Sequence, residues 1–254
     1  KLLLLSRRPS LGFRWLDKVE RLIDVFPEVG VLVGVQQRED YHPEGTVFEH
    51  TMQSVDASAE FDNYTSNDEK LMVMLGVLCH DFGKPLVIDE ELHAKGHDVA
   101  GVEPTKSFIK RLTNSKDLCN GVCKLVRYHM MPGALIKFDS KDKAYKRLAA
   151  KLAPEATIVH LAMVSLADVR GRNPNGPEPL SIGKDLMDIF LERVRAANVE
   201  NGPEAPVLLG RHLIGIVEPG KEMGRLLEEA YQIQIEEGVR DEEELKRRVL
   251  GDRK

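Results

Sequence analysis

Cysteine is scarce in this chain: Cys79, Cys119 and Cys123 are the only three in 254 residues, and no two form a C-x-x-C pair. So few thiols, odd in number, suit a reducing cytosol rather than a disulfide-stapled fold. Cys119 and Cys123, four apart on an expected helix, read as packing residues. Excess positive charge is also missing. The formal net charge is −5 and the pI about 6.0, which argues against a broadly basic nucleic-acid surface but allows a local basic patch. Long apolar runs are lacking too. The opening KLLLLSRRPS has four leucines before two arginines, too few to span a bilayer or act as a cleaved signal, and no other segment approaches membrane length. A cytoplasmic chain without a membrane partner is the expectation. It starts at lysine rather than methionine, which leaves open whether it is a piece of something longer.

At 42% hydrophobic residues the chain can bury a real core. Apolar positions recur at helical spacing, with proline and glycine as punctuation and without the period-two alternation of strands, so the expected class is all-α. Helices are expected at 10–26, 46–61 (with Thr46 and Glu49 as a capping box), 68–82, from GHDVAG onward with a kink or delayed start at Pro104, then at 117–130, 140–151, 155–170, 181–197, 220–236 and 241–250. The stretch GRNPNGPEP, 171–179, is the richest in Pro, Gly and Asn. It predicts a boundary between a domain at 1–179 and a C-terminal helical extension at 180–254. The tail RDEEELKRRVLGDRK predicts a solvated helix, acidic early and basic late as the helix dipole favours, with contact to tRNA as its functional alternative.

The chemistry centres on LCHDFGKP, 78–85, where His80 and Asp81 end the most apolar run of the chain. A buried carboxylate is costly unless paired, hydrogen-bonded or bound to a metal. Partners are in reach on other helices. His50 continues the inward stripe Val47, His50, Ser54, Ala57, Phe61, and Asp168 ends the stripe Ile158, Leu161, Ser165, Asp168. Two imidazoles and two carboxylates from three helices form a sensible donor set for one divalent ion. His97 in KGHD and His129 in VRYHMMPG fall at helix ends and, with Asp81 bridging, could hold a second. Two ions roughly 3.5–4 Å apart would clamp a phosphate and generate a hydroxide. Alone, each residue has a bland reading: a chance His-Asp pair, a hydrogen-bonded histidine, a capping aspartate. His93, His160 and His212 read as structural or surface residues, and Met130 and Met131 as core.

The ordered set His50, His80-Asp81, Asp168 resembles the H…HD…D signature of the HD-domain metal-dependent phosphohydrolases, an all-helical superfamily, and HDFGKP matches its HD-x-GK form. PSLGFRWL, FPEV, LVGVQQ, YHPEGTVFEHT, GHDVAG, LADVRGR and EPGKEMGRLLEEAYQIQIEEG extend the resemblance, in order, to the HD region of bacterial CCA-adding tRNA nucleotidyltransferases of the multifunctional type.

That resemblance implies an HD-domain helical bundle that hydrolyses phosphomonoesters or phosphodiesters, 2′,3′-cyclic nucleotides and RNA ends among them. It implies one or two divalent ions (Mn, Ni, Co, Mg, Fe or Zn) held by His50, His80, Asp81 and Asp168, with His97 and His129 at the positions used where two metals bind. Asp81, Lys84 and Arg170 are then the expected catalytic residues. Lys84, Arg170 and Arg172 would meet phosphate, with Arg170 favoured over Arg172 because the chain turns at Gly171. His42 in YHPEG would touch substrate or support the site, or else stabilise its turn. Departures are visible. GHD replaces the usual GHE and Pro104 follows, which predicts a looser second site. The Gly-Gly, D-x-D and R-R-D motifs of the polymerase head are absent, so this chain alone should not add nucleotides. The competing expectation is a tRNA-binding helical module of a nucleotidyltransferase with a vestigial metal site; a third, a structural domain forming a homodimer, leaves the inward carboxylates unexplained.

Overall fold

The apolar run before His80 dictates the centre of the fold. In the computed structural model, which describes residues 1–251, it lies in a helix buried from Met72 through Cys79. In chain order the helices are α1 (Ser10–Lys18), α2 (Leu22–Val25), α3 (Pro27–Gly30), α4 (Val47–Ala59), α5 (Asn67–Cys79), α6 (Lys84–Val87), α7 (His97–Ala100), α8 (Val102–Leu112), α9 (Lys116–Tyr128), α10 (Met131–Lys137), α11 (Asp142–Leu152), α12 (Ile158–Arg170), α13 (Lys184–Ala196), α14 (Lys221–Glu237) and α15 (Glu242–Leu250). Among the described residues there is no strand, only one antiparallel bridge between Gln36 and Thr46. The all-α expectation holds.

Four helices, α4, α5, α9 and α12, pack on one another as the inner bundle, and each is started by a side-chain cap. Thr46, Ser66, Ser115 and Thr157 accept the backbone N–H groups of Glu49, Glu69, Leu118 and His160; such a cap is worth about 1 kcal/mol. Glu49 does not close the expected box on Thr46. It takes both guanidinium nitrogens of Arg14, at 2.6 and 2.7 Å, and so ties α1 to α4. Gly76 sets the spacing in the centre. A Cβ there would lie 3.1 Å from Leu125 and 3.3 Å from Val164, so its absence lets α5 approach α9 and α12 closely. That approach draws the ends of the three helices together.

Several boundaries differ from expectation. The segment 10–26 is not one helix: α1 stops at Lys18 and Glu20 takes φ 56°, a backbone conformation that apolar periodicity does not report. The helix expected at 117–130 does end before MMPG, as α9, but Pro132 then occupies the first turn of a further helix, α10, where the missing N–H costs nothing. Pro104 likewise lies in the first turn of α8, and the interruption falls at Gly101, between α7 and α8. The loop 171–179 does not separate two cores. Met187, Phe190 and Val194 of α13 join the main core, and a second one, built by Leu208, Leu213, Met223, Leu226, Leu245 and Val249, begins only beyond Val199. Ion pairs of Arg147 with Glu236 and of Lys146 with Glu204 link α11 to this second unit. In α15 the acidic first turn and Arg247 and Arg248 in the last are as expected; residues 252–254 of the basic tail lie outside the described residues. No helix among the described residues is long and apolar enough to cross a membrane.

Candidate metal centre

The C-terminal ends of α5, α9 and α12 meet the first turn of α4 and the start of α7, and this gathers the six expected ligand residues. His50 projects from α4 and Asp168 from the last turn of α12. His80 and His129 are the residues on which α5 and α9 stop, and His97 opens α7. Each imidazole is fixed from behind by its Nδ1–H, which donates to Val77 O from His80, to Val126 O from His129 and to Ala94 O from His97, each at 2.7 Å. His50 Nδ1–H is shared between Glu44 Oε1 at 2.7 Å and Gly171 O at 3.0 Å. With Nδ1 carrying the hydrogen, every Nε2 presents a lone pair inward.

Those lone pairs meet head-on. His50 Nε2 is 3.2 Å from His80 Nε2, and His97 Nε2 is 3.1 Å from His129 Nε2. Neither pair can form a hydrogen bond in this tautomer; a metal ion, or a proton on one imidazole, would relieve each contact. The carboxylates complete two trios. Asp168 Oδ1 lies 3.2 Å from His50 Nε2, forming one group with His80, while Asp81 forms the second with His97 and His129. Asp81 spans both: Oδ1 is 3.4 Å from His97 Nε2, and Oδ2 is 3.3 Å from His80 Nε2. Buried Asp81 Oδ2 has the Lys84 ammonium 2.7 Å away but makes no hydrogen bond of regular geometry among the described residues. Imidazole and carboxylate donors gathered in two buried trios, with two opposed lone-pair contacts, fit one or two divalent ions.

The electrostatics favour the ligating forms. Burial alone would raise the Asp81 carboxyl, but the charges of His80 and Lys84 outweigh it and hold the group well below the usual carboxylate range. Asp168 is likewise held low against its burial, by Arg172 and His50. Burial and the neighbouring imidazoles bring His129 down to about 4, so it is neutral at pH 7. His50 moves the other way: its burial is outweighed by Asp168 and Glu44. In the metal-free chain a proton on His50 can do what an ion would do, and metal uptake would release it.

Glu44 was not among the expected site residues. Its side chain is fully buried, and Oε1 accepts from both His42 Nδ1, at 2.9 Å, and His50 Nδ1. Despite the opposing effect of burial, these bonds hold its carboxyl at about 2. The only sequence signal was an acidic residue six before a candidate ligand, in a turn whose geometry no periodicity describes. His42, expected to touch substrate or support the site, has both surroundings: Nδ1 faces Glu44, Nε2 lies 3.3 Å from Lys84 Nζ, and the side chain lines a cavity.

That cavity, about 330 Å³, opens over the ligand cluster. His97, His129, Asp81 and Asp168 line its inner end with Lys84 and Arg172; Tyr41, Ile88, Leu92 and Met130 form a largely apolar wall. Lys84 Nζ lies 2.7 Å from Asp81 Oδ2, and Arg172 Nη2 donates to Asp168 Oδ1 at 2.8 Å. Arg170, favoured from sequence, is turned away. Its guanidinium stacks 5.4 Å from the Phe61 ring centroid, its Nε donates to Ile182 O, and it does not line the cavity. The turn at Gly171 reverses the expected order, making Arg172 the arginine at the site. Met130, expected in the core, is half exposed on the cavity wall. His93, expected to be a structural or surface residue, is exposed and contacts Arg38 beside the cavity, and His160 and His212 are structural, bonded to the starts of local turns.

The family model for the HD domain matches residues 47–170, from the first residue of α4 to the last of α12. This segment, which carries all six convergent His and Asp residues, belongs to the HD domain family. The chain is also similar to curated proteins named Multifunctional CCA protein. It is 33% identical to the one from Pasteurella multocida (strain Pm70) over 172 residues, 66% of this chain and 40% of that protein. It is 31% identical to the one from Mannheimia succiniciproducens over 176 residues, again 66% and 40%. For one from Acinetobacter baumannii (strain AYE) the figures are 36% over 126 residues, 48% and 29%. The chain thus spans about 40% of the length of the first two.

Proposed function

We propose that the chain is a metal-dependent phosphohydrolase that cleaves phosphomonoesters or phosphodiesters, with 2′,3′-cyclic nucleotides and RNA ends as its substrates. The observation that carries this reading is the pair of opposed imidazole contacts, His50 with His80 and His97 with His129, the second lining a cavity that also presents Asp81, Asp168, Lys84 and Arg172. Divalent ions held by these trios would supply Lewis-acid stabilisation of a phosphoryl oxygen and a nucleophile at neutral pH. The protein's own groups then account for the rest. Lys84 and Arg172 stand where negative charge grows on the phosphoryl oxygens, and cations fixed there favour the transition state over the ground state. Arg172, anchored on Asp168, keeps a planar fork suited to phosphate. Arg38 and Lys95, also lining the cavity, draw an anionic substrate toward it. Similarity to proteins named Multifunctional CCA protein supports an RNA-linked ester, with tRNA as the macromolecular partner, and the free thiols accord with a cytoplasmic protein.

The test is elemental analysis of the purified chain beside a screen of phosphate esters with added Mn²⁺, Ni²⁺, Co²⁺ and Mg²⁺. Bound metal and turnover are expected, and Asp81→Ala should lose both. Full metal content in Asp81→Ala would sink the ligand assignment. Metal without turnover of any ester, together with salt-sensitive tRNA binding, would instead favour a tRNA-binding helical module.

A further inference from the structure

The segment 35–47 closes on itself just before α4. Val47 N donates to Val35 O at 2.9 Å and Gln37 N to Gly45 O at 3.1 Å, flanking the Gln36–Thr46 bridge. Backbone pairing therefore anchors Gln37 as firmly as a strand residue, although it belongs to a loop. Its side chain lines the cavity and is 93% buried, with 7% relative exposure. The two ends of the amide are in unequal situations. Lys84 Nζ contacts one end, and an ammonium group has only hydrogens to offer, so that end must be the oxygen. The other end, Nε2, is a buried donor with no acceptor among the described residues. Arg172 Nε, lining the same cavity, is a second such donor.

A buried N–H without an acceptor is costly, and here the cavity offers a reason for keeping it. We infer that Gln37 is a substrate-binding residue whose side-chain N–H donates to a phosphoryl oxygen of the ester held over the His/Asp cluster. The inference rests on the proposed phosphohydrolase reading and adds a neutral donor to the two cations already named. Lys84 orients the amide by occupying its oxygen, so the nitrogen needs no reorganisation when an oxyanion arrives. Arg172 Nε would approach the same oxyanion from the α12 side.

The alternative is that Gln37 only holds Lys84; Gln37→Glu tests the need for the N–H, and since its carboxylate also repels phosphate, Gln37→Met in a Lys84→Met background separates the two roles. Gln37→Glu preserves shape and gives Lys84 a stronger acceptor, but replaces the N–H by an oxygen. Binding of inorganic phosphate to the metal-loaded chain is the readout, with metal content and melting temperature as controls. If Gln37 donates to the oxyanion, Gln37→Glu should weaken phosphate binding about tenfold or more, the loss expected for one hydrogen bond to a charged group, with metal content unchanged. Phosphate affinity within twofold of the unmodified chain would overturn the proposal. Gln37→Met is measured in the Lys84→Met background as well, whether or not Gln37→Glu folds. A further loss of phosphate affinity there supports direct contact, and no further loss overturns it, because Gln37 would then act only through Lys84. Should the unmodified chain hydrolyse no phosphate ester, the phosphohydrolase reading fails, while phosphate binding still decides the role of Gln37.

Discussion

Replacing Glu44 with glutamine tests how the site is held rather than what it holds. Glu44 Oε1 accepts from His50 Nδ1 at 2.7 Å and His42 Nδ1 at 2.9 Å, in a side chain with no exposure. Its carboxyl is held at about 2 against an ordinary 4.5; at about 1.4 kcal/mol per pH unit, that preference for the anion is worth about 3 kcal/mol at neutral pH. His42, brought down to about 4 by burial despite Glu44, is neutral at pH 7. The Glu44–His42 contact is therefore a charge-assisted hydrogen bond rather than an ion pair. Glutamine can keep one acceptor, but it removes the charge that makes His50 a better donor and places an NH₂ where Oε2 already lacks a partner. Loss of a carboxylate behind a ligand histidine typically costs 10–100-fold in metal affinity, about 1.4–3 kcal/mol. Competition of the metal-free chain with a chelating dye for Mn²⁺ or Zn²⁺ measures it directly. An affinity for Glu44→Gln within twofold of the unmodified chain, with helical content retained, would refute the reasoning.

Arg172→Ala should lower turnover about 10²-fold, the size of one lost electrostatic contact, whereas Arg170→Ala, which removes only the Phe61 stack and the Ile182 bond, should leave turnover within twofold; the reverse order would return the catalytic arginine to 170. Gly83→Ala would drive a Cβ into the His97 carbonyl and to 2.5 Å from Gly101 N. A loss of roughly 1–3 kcal/mol, with weakened binding at the Asp81, His97 and His129 trio before the other, is expected in urea melts and metal titrations. The metal-free chain should lose stability as pH falls from about 6.5 to 4. His42 and His129, both at about 4 when folded, take up protons in the unfolded chain first, so their contribution is full above 6.5 and lost as the pH falls toward 4. A urea midpoint that stays flat over that window would contradict the burial of both imidazoles.

What the sequence by itself determined was the helical class and the inward stripes. His50 and Asp168 recur at core spacing, His80 and Asp81 end the most apolar run, and a charge on such a face has few explanations besides a partner or an ion. Periodicity carried these because a helix converts spacing into direction. Only the tertiary structure decided the parts that depend on turns. Glu44 and Gln37 lie in a loop whose side-chain directions follow from one backbone bridge, and nothing local distinguishes them from solvated polar residues. The choice between Arg170 and Arg172 depended on the path of the chain through Gly171, where a few tens of degrees in a backbone angle send a guanidinium to Phe61 or to Asp168. The opposed Nε2 contacts were likewise beyond the sequence. They join α4 to the end of α5 and α7 to the end of α9, at separations that only the packed bundle fixes.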